Sequence, residues 1–387
     1  MSAPLDIVRV MPFFHLGRGG SVAQAQASCA ELARRGHRVR VLTSDLEQAP
    51  GVPRDRWLQQ DGYDVFYARV SGSGRVPPYR QPGVAHALQH CLPEADVLCL
   101  HVGLTMLHAR AARMAERSST PYVYNAEGAL CPTRLRDKRV RKAAFLRLFE
   151  RAVVREADAI HAVTDKEAGD MIAQGAAPNR VHVIPNAVSA PTETVSRTGA
   201  RRRLGWREDE FVVLYLGRRT AMKSPDVLLE GALELLGQGK MRLVLAGPDE
   251  GMAAQLAAIA ERHGVADRVA QLDTVVGGQR LDLWSGADLF ALPSLSEGLP
   301  LGPLEAAAHG LPLLVSPQCN LPQVAEYDAG RIVPVDHVAV GNALAEFVAD
   351  RETLRRCADG ARRMVAEEFA LTEIVTRLES LYRELSR

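Results

Sequence analysis

The chain has 387 residues, enough for two domains of ordinary size. With 47% hydrophobic and 24% charged residues it has the makeup of a soluble globular protein and not of a disordered or fibrous one. A formal net charge of +1 removes any bulk electrostatic case for nucleic acid.

The N-terminus, Met-Ser-Ala-Pro-Leu-Asp-Ile-Val-Arg-Val, lacks the basic segment and apolar run of a signal peptide. No apolar run reaches the ~18 residues needed to span a bilayer. The expectation is a cytoplasmic protein. Cys29, Cys91, Cys99, Cys131, Cys319 and Cys357 have no zinc-like or redox-like spacing, so they read as free buried thiols.

Ile7 to Met11 is a short apolar strand. The turn after it carries Gly17, Gly19 and Gly20, and Val22 to Arg35 has helical periodicity. Gly36 stops that helix before the strand Val39 to Thr43. This is a βαβ unit with a glycine-rich first turn. The turn is not a strict G-x-G-x-x-G, and no acidic residue is placed for an adenosine ribose. Gly19 and Gly20 either let the backbone approach some other ligand or simply make the turn tight. Residues 45–83 are loop-rich, with Gly62 to Tyr67 as a strand. Ser71-Gly-Ser-Gly-Arg-Val-Pro-Pro78 reads as a mobile loop that could contact an acceptor or lie idle on the surface.

Asp96 to His101 is a strand, Met106 to Arg117 a helix, and Pro121 to Tyr124 a strand leading into Asn125-Ala-Glu-Gly128. Residues 134–155 hold nine Arg and Lys against Asp137 and Glu150, and Phe145, Leu148, Phe149 and Ala152 recur at helical spacing. An amphipathic helix with a basic face is expected there. It either docks on an anionic membrane surface or a phosphorylated acceptor, or is an ordinary solvated helix face. Two more strands, Ala159 to Val163 and Val181 to Ile184, flank a helix at Asp165 to Gln174. Pro185 to Thr194 loses periodicity and reads as a linker.

A second βα series opens at Phe211 to Leu216. The loop Gly217 to Lys223 and a helix from Pro225 to Leu236 follow. Strands at Leu243 to Ala246 and Val269 to Leu272 come next, with helices at Leu256 to His263 and Leu281 to Trp284. Leu289 to Leu292 is a strand end, Glu297 to Gly302 a glycine-bearing loop, and Pro303 to His309 a helix with Pro303 at its first position and Gly310 as its stop. A loop and helix start after a parallel strand form an anion site, most often for phosphate. Glu297 and Glu305 flank it and would accept from hydroxyls. After the strand Leu313 to Ser316, residues 338–385 read as largely helical. Alternating strands and helices predict an α/β fold of two Rossmann-like domains in tandem, with ligands beyond the carboxyl ends of the strands and a cleft between the domains.

Gly19-Gly20 before a helix, Arg35-Gly-His-Arg-Val39, Ile184-Pro-Asn-Ala-Val188, Leu216-Gly-Arg218 with Lys223, and Ala287 to Ser294 leading into Glu297, seven residues and Glu305 stand in a fixed order. In these elements the chain resembles the retaining GT-B glycosyltransferases of sequence family four, over nearly its whole length. The resemblance implies an N-terminal acceptor domain at 1–190, a donor domain at 191–371, and a helix at about 372–387 packing back on the first. It implies transfer of a sugar from a nucleotide-sugar, such as a UDP- or GDP-sugar, to a glycan, lipid-linked or small-molecule acceptor, with no metal or other cofactor. Arg218 and Lys223 would clamp the diphosphate and Glu297 would meet the sugar hydroxyls. Backbone amides around Gly298, Leu299 and Leu301, beside the stiffening Pro300, would meet phosphate. Glu305 would take the ribose. The loop from Asp273 to Gly278, Thr274 included, would face the base, and Gly19 and Gly20 would approach the diphosphate.

Paired carboxylates also occur in glycoside hydrolases. Here they belong to a phosphate-type loop with a basic clamp in the same domain, which argues against hydrolysis. One departure is Glu127, where the family has a histidine near the anomeric centre. A carboxylate there could stabilise an oxocarbenium ion, bind an acceptor amine, act as a base, or mark altered chemistry. His101 in the preceding strand is a second catalytic candidate. Alternatives in other classes are a GT-B nucleotide-sugar epimerase and a catalytically altered nucleotide-sugar binder. The partners implied are the donor and the acceptor, and 134–155 is either a contact with the inner membrane face or a solvated helix face.

Overall fold

The computed structural model describes residues 3–15, 19–45, 52–70, 82–132, 135, 139–191, 193 and 195–386. The expected mobile loop at 71–78 lies outside them, as does Gly17. The chain divides into two compact units. The first comprises Met1–Asn186 and Leu371–Arg387, the second Ala187–Ala370.

In the first unit the strands are β1 (Asp6–Val10), β2 (Arg38–Ser44), β3 (Trp57–Gln60), β4 (Tyr63–Ala68), β5 (Val97–His101), β6 (Tyr122–Asn125), β7 (Ala159–Ala162) and β8 (Val181–Val183). They form one sheet in the order β3-β4-β2-β1-β5-β6-β7-β8. All pairings are parallel except β3 with β4. The strands read as apolar runs because helices cover both faces. Around β1 the order reverses, which is the doubly wound pattern with its switch point between β1 and β5. The edge strand β3 was not expected from the sequence. It is half of a hairpin closed by Asp61 (φ 45°) and Gly62 (φ 85°), an Asp-Gly turn of the twist that suits hairpins.

The helices α1 (Gly20–Arg34), α2 (Pro82–Cys91) and α3 (Met106–Ser118) flank the sheet. Next comes α4, a continuous run of Arg139–Phe145, a π-helical Leu146–Glu150 and Arg151–Glu156. The π segment rotates the helix faces. Leu146, Glu150, Val153 and Val154 turn inward, while Leu148 is 68% exposed and Ala152 also faces out. The expected stripe of Phe145, Leu148, Phe149 and Ala152 assumed an unbroken 3.6-residue period, and the i→i+5 turn breaks it. After α5 (Asp165–Ala173) the chain leaves for the second unit. It returns as a last helix (Leu371–Leu385), whose Ile374, Val375, Leu378, Leu381 and Tyr382 are buried.

The second unit holds β9 (Phe211–Leu216), β10 (Met241–Ala246), β11 (Val269–Leu272), β12 (Leu289–Leu292), β13 (Leu313–Val315) and β14 (Gly330–Ile332), all parallel, in the order β11-β10-β9-β12-β13-β14. Its helices are α6 (Arg197–Leu204), α7 (Pro225–Gly237), α8 (Ala253–Arg262), α9 (Gly277–Gly286), α10 (Leu301–Ala308), α11 (Gln323–Glu326), α12 (His337–Ala349) and α13 (Arg351–Met364), and Leu371–Leu385 of the first unit is α14. The reversal falls between β9 and β12. Two boundaries differ from the sequence reading. Helix α9 takes in Gly277 and Gly278, which shortens the loop after β11. Helix α10 begins at Leu301, so Pro303 is its third residue and Pro300 caps it. A proline tolerates any position in a first turn because none of those N–H groups has an intrahelical partner. All six cysteines are free and buried.

Candidate active site

The loops at the β9–β12 switch point carry Arg218, Lys223 and Glu297. Beyond β9 the chain runs through Gly217, Arg218 and Arg219 to a short 3-10 turn at Ala221–Lys223. Ser224, at φ 47°, then redirects it into α7 with Pro225 at the first helical position. Beyond β12 the loop 293–300 is held from two sides. The Ser294 hydroxyl and the Leu295 N–H donate to the Met222 carbonyl at 3.0 and 2.8 Å. The Asn320 side-chain amide donates to the carbonyls of Glu297 and Gly298, both at 2.8 Å. The two loops meet where Lys223 Nζ lies 2.5 Å from Glu297 Oε1, with both side chains largely buried.

This contact brings a cation and a carboxylate together at the carboxyl ends of adjacent strands. Helix α10 starts beside them, and the free N–H groups of its first turn add positive potential. Leu299 and Pro300 bury their side chains. A Cβ on Gly302 would lie 3.1 Å from Phe290 and 3.2 Å from the Leu216 carbonyl. A side chain there would press the helix start away from the end of β9. Arg218 is more exposed and pairs with Glu250 at 2.8 and 3.0 Å. Its neighbour Arg219 is buried and donates to the Leu272 carbonyl at 3.1 Å, tying this loop to the end of β11.

Beyond β11, Asp273 and Thr274 are exposed, and the Thr274 N–H donates to Asp273 Oδ1 at 2.8 Å. Glu305, on α10, does not face solvent alone. Its Oε2 accepts from Arg280 Nη2 of α9. Burial pushes the Glu305 carboxyl up, and the Arg280 guanidinium pulls it down. Sequence reasoning missed Arg280, Glu250 and Asn320. Each joins the site through tertiary contacts across 22 or more residues, a separation with no local signature.

In the first unit the corresponding loops are built differently. Gly19 is the N-cap of α1 at φ 94°, and Gly20 opens the helix. After β5, Val102 and Leu104 take φ values of 68° and 66°, a region costly for a β-branched residue. Gly103 lies between them, where a Cβ would meet the Tyr124 hydroxyl at 2.5 Å. Glu150, reaching in from the π segment of α4, accepts from the Leu104 N–H at 2.9 Å and from the Tyr124 hydroxyl at 2.5 Å. It was legible as one acid among many arginines. Burial holds its carboxyl above the ordinary range.

After β6, the Glu127 N–H donates to Asn125 Oδ1 at 3.0 Å, with Glu127 itself at φ 50°. The Gly128 and Val163 N–H groups donate to the buried Glu167 carboxylate at 2.6 and 2.8 Å. His101 Nδ1 lies 3.1 Å from Glu127 Oε1. Burial depresses the His101 imidazole to about 3, so it is neutral and donates its Nδ1 proton to the carboxylate. Its Nε2 is buried without a hydrogen-bond partner. His101 therefore orients Glu127, and both side chains are largely buried.

Comparison with known proteins gives a consistent set of likenesses. The Glycosyl transferase 4-like domain family matches residues 19–187, and the Glycosyl transferases group 1 family matches residues 196–364. The chain is 31% identical over 325 residues to a D-inositol 3-phosphate glycosyltransferase of Rhodococcus jostii, covering 77% of this chain and 69% of the relative. It is 30% identical over 333 residues to one of Actinosynnema mirum, covering 79% and 77%. The match to one of Xylanimonas cellulosilytica is 32% over 251 residues and spans 62% of this chain and 60% of that relative's length. Among solved structures, Anabaena HepE in complex with UDP and glucose superposes with a TM-score of 0.78 at 16% identity, covering 98% of this chain and 100% of that one. WaaG, a glycosyltransferase involved in lipopolysaccharide biosynthesis, superposes with a TM-score of 0.73 at 20% identity, covering 97% and 99%.

Proposed function

The chain belongs to the GT-B glycosyltransferases of sequence family four, and on that footing we propose that it moves a sugar from a nucleoside-diphosphate sugar to an acceptor hydroxyl with retention at the anomeric carbon. The observation that carries this reading is the Lys223–Glu297 contact at the switch point beside the start of α10. A diphosphate suits that place, because a helix start and a lysine supply positive charge in a partly buried setting. In this mechanism Lys223 and Arg218 bind the diphosphate and neutralise the charge that grows on the leaving oxygen. The protein's own cations then do what a divalent metal does in other transferases. Amides at Gly298, Leu299 and Leu301 add donors. Glu297 accepts from the sugar's hydroxyls and Glu305 from the ribose.

The bond from the anomeric carbon to phosphate oxygen breaks as the bond to the acceptor oxygen forms on the same face. The acceptor's proton passes to the departing phosphate. Glu127, held by His101, supplies negative charge for the positively charged sugar in the transition state. The relatives' names make D-inositol 3-phosphate the first small acceptor to try. Leu148, exposed between Arg147 and Arg151, supports testing a lipid-linked acceptor as well.

The test incubates the purified chain with UDP-, GDP- and ADP-sugars in chelator, with and without each acceptor. Nucleoside diphosphate is measured, and the product anomer is read by NMR. Acceptor-dependent release with retained configuration is expected. An altered donor sugar without acceptor would make it an epimerase. Binding of nucleotide without any turnover would make it a non-catalytic relative.

A further inference from the structure

Three ion pairs occupy the donor loops: Lys223 with Glu297, Arg218 with Glu250, and Arg280 with Glu305. The first two involve groups that a diphosphate would draw away. The third does not, because a neutral sugar ring offers hydroxyls and no charge to compete for Arg280. Glu305 lies in the first turns of α10 and Arg280 in the first turn of α9, the helix entered from the loop after β11. The pair thus bridges the two elements between which a nucleoside would lie.

We propose that Arg280 is a positioning residue that sets how this site reads the ribose, and this rests on the donor-site reading above. A carboxylate has two oxygens and about four lone-pair directions. With Oε2 taken by Arg280 Nη2, the remaining lone pairs of Glu305 are fixed in direction and confined to accepting. That is the arrangement a vicinal diol requires. Burial works against the ionised form of Glu305, and Arg280 is the group that opposes it. A neutral, rotatable carboxyl would present a donor to one hydroxyl and lose the discrimination.

A second observation separates this pair from an ordinary surface bridge. Arg280 Nε is buried and has no hydrogen-bond partner. Proteins seldom leave a buried donor open. Here the open donor sits beside the carboxylate expected to hold the ribose, and a ring or base oxygen of the nucleoside would satisfy it.

The experiment measures binding of UDP, GDP and ADP and of their 2′-deoxy counterparts by calorimetry. The proteins compared are the wild type, Arg280→Gln, Arg280→Lys, Glu305→Gln and the double variant Arg280→Gln/Glu305→Gln. A hydrogen bond to a charged acceptor predicts that the wild type prefers the ribonucleotide about 10- to 100-fold. In Arg280→Gln that preference is expected to fall to within about threefold, close to Glu305→Gln, with no further loss in the double variant. Arg280→Lys keeps charge without the fixed fork and should lie between. A preference lost in Glu305→Gln but intact in Arg280→Gln would overturn the inference and leave the donor site standing. Loss in both single variants that sums in the double would also overturn it, since independent roles add. If the wild type binds none of the three diphosphates, the functional reading falls and this inference with it. Thermal unfolding of each variant separates loss of recognition from loss of fold.

Discussion

The loops beyond β9 and β12 flank the switch point of the second sheet, and the loops beyond β5 and β6 lie at and next to that of the first, yet they are stabilised in different ways. In the second unit's loops positive φ falls on the small polar Ser224 and on Asn320 and not on branched side chains, and the charges do the work. Lys223 with Glu297 and Arg218 with Glu250 stand in pairs that a diphosphate can rearrange, beside the fixed pair of Arg280 with Glu305. In the first unit the backbone itself is strained at Val102, Leu104 and Glu127. Buried groups that cannot be rearranged cheaply hold it there: Glu150, Glu167, His101 and Tyr124. A site made of exchangeable ion pairs suits a charged donor. A site made of a locked polar network suits one fixed carboxylate.

The strongest way to break that contrast is at Lys223. Lys223→Ala is expected to lower turnover by about 10²- to 10³-fold, the range for losing one transition-state electrostatic partner, and to weaken nucleoside diphosphate binding as well. Steady-state kinetics with calorimetry would measure both, and unchanged binding would remove Lys223 from the clamp. Next is Glu127→Gln, which keeps the shape and removes the charge. Turnover should fall about 10- to 100-fold, a share of what such electrostatic groups supply, while nucleoside diphosphate affinity stays level. Equal losses in both would place Glu127 in donor binding.

A smaller effect concerns Glu150. Its carboxyl is raised above the ordinary 4.5 by burial. The folded chain therefore keeps that proton to a higher pH than the unfolded chain, and stability falls as pH rises from 4.5 through the elevated value. Glu150→Gln has no such proton. Melting temperatures followed from about pH 4 to about pH 8 should shift in favour of the variant as pH rises. A constant difference would mean that Glu150 titrates normally. The smallest effect is at Val102. Val102→Gly relieves a positive φ and should raise stability by about 1 kcal/mol in denaturant unfolding, since the strain exceeds glycine's added chain entropy. A loss of stability would show that the side chain's packing outweighs the strain.

The sequence made the second unit easy to read because its information is local. Apolar runs mark β9 to β12. Gly302 sits where the start of α10 comes close to β9, and the spacing from Glu297 to Glu305 is continuous along the chain. It failed where a partner was distant or a period changed. Arg280 is 25 residues from Glu305 on another helix. Glu150 faces inward only because a π turn shifts the register of α4. Strand β3 has no apolar alternation, being Trp-Leu-Gln-Gln, although the Asp61-Gly62 turn beside it was a fair signal. Strand β14, Gly-Arg-Ile, is three residues and too short for any pattern. His101 looked like a reacting group. Its burial against Glu127 became visible only with the fold.

The second unit begins and ends at one point. The Val188 N–H donates to the Phe369 carbonyl at 2.9 Å, and Val188 pairs with Ala370 as a short parallel bridge. This gives an order of assembly. As the chain leaves the ribosome, residues 187–370 can close on themselves once Ala370 has emerged. The first unit, synthesised earlier, still lacks α14, whose Tyr382 lies against Arg9 and Cys29, because that helix follows Ala370 in the chain. The portion made first is the portion finished last. Until α14 arrives, the apolar face it covers stays open to chaperones. A nonsense codon or a proteolytic cut ahead of α14 would strike the fold of the first unit and not only the segment it removes.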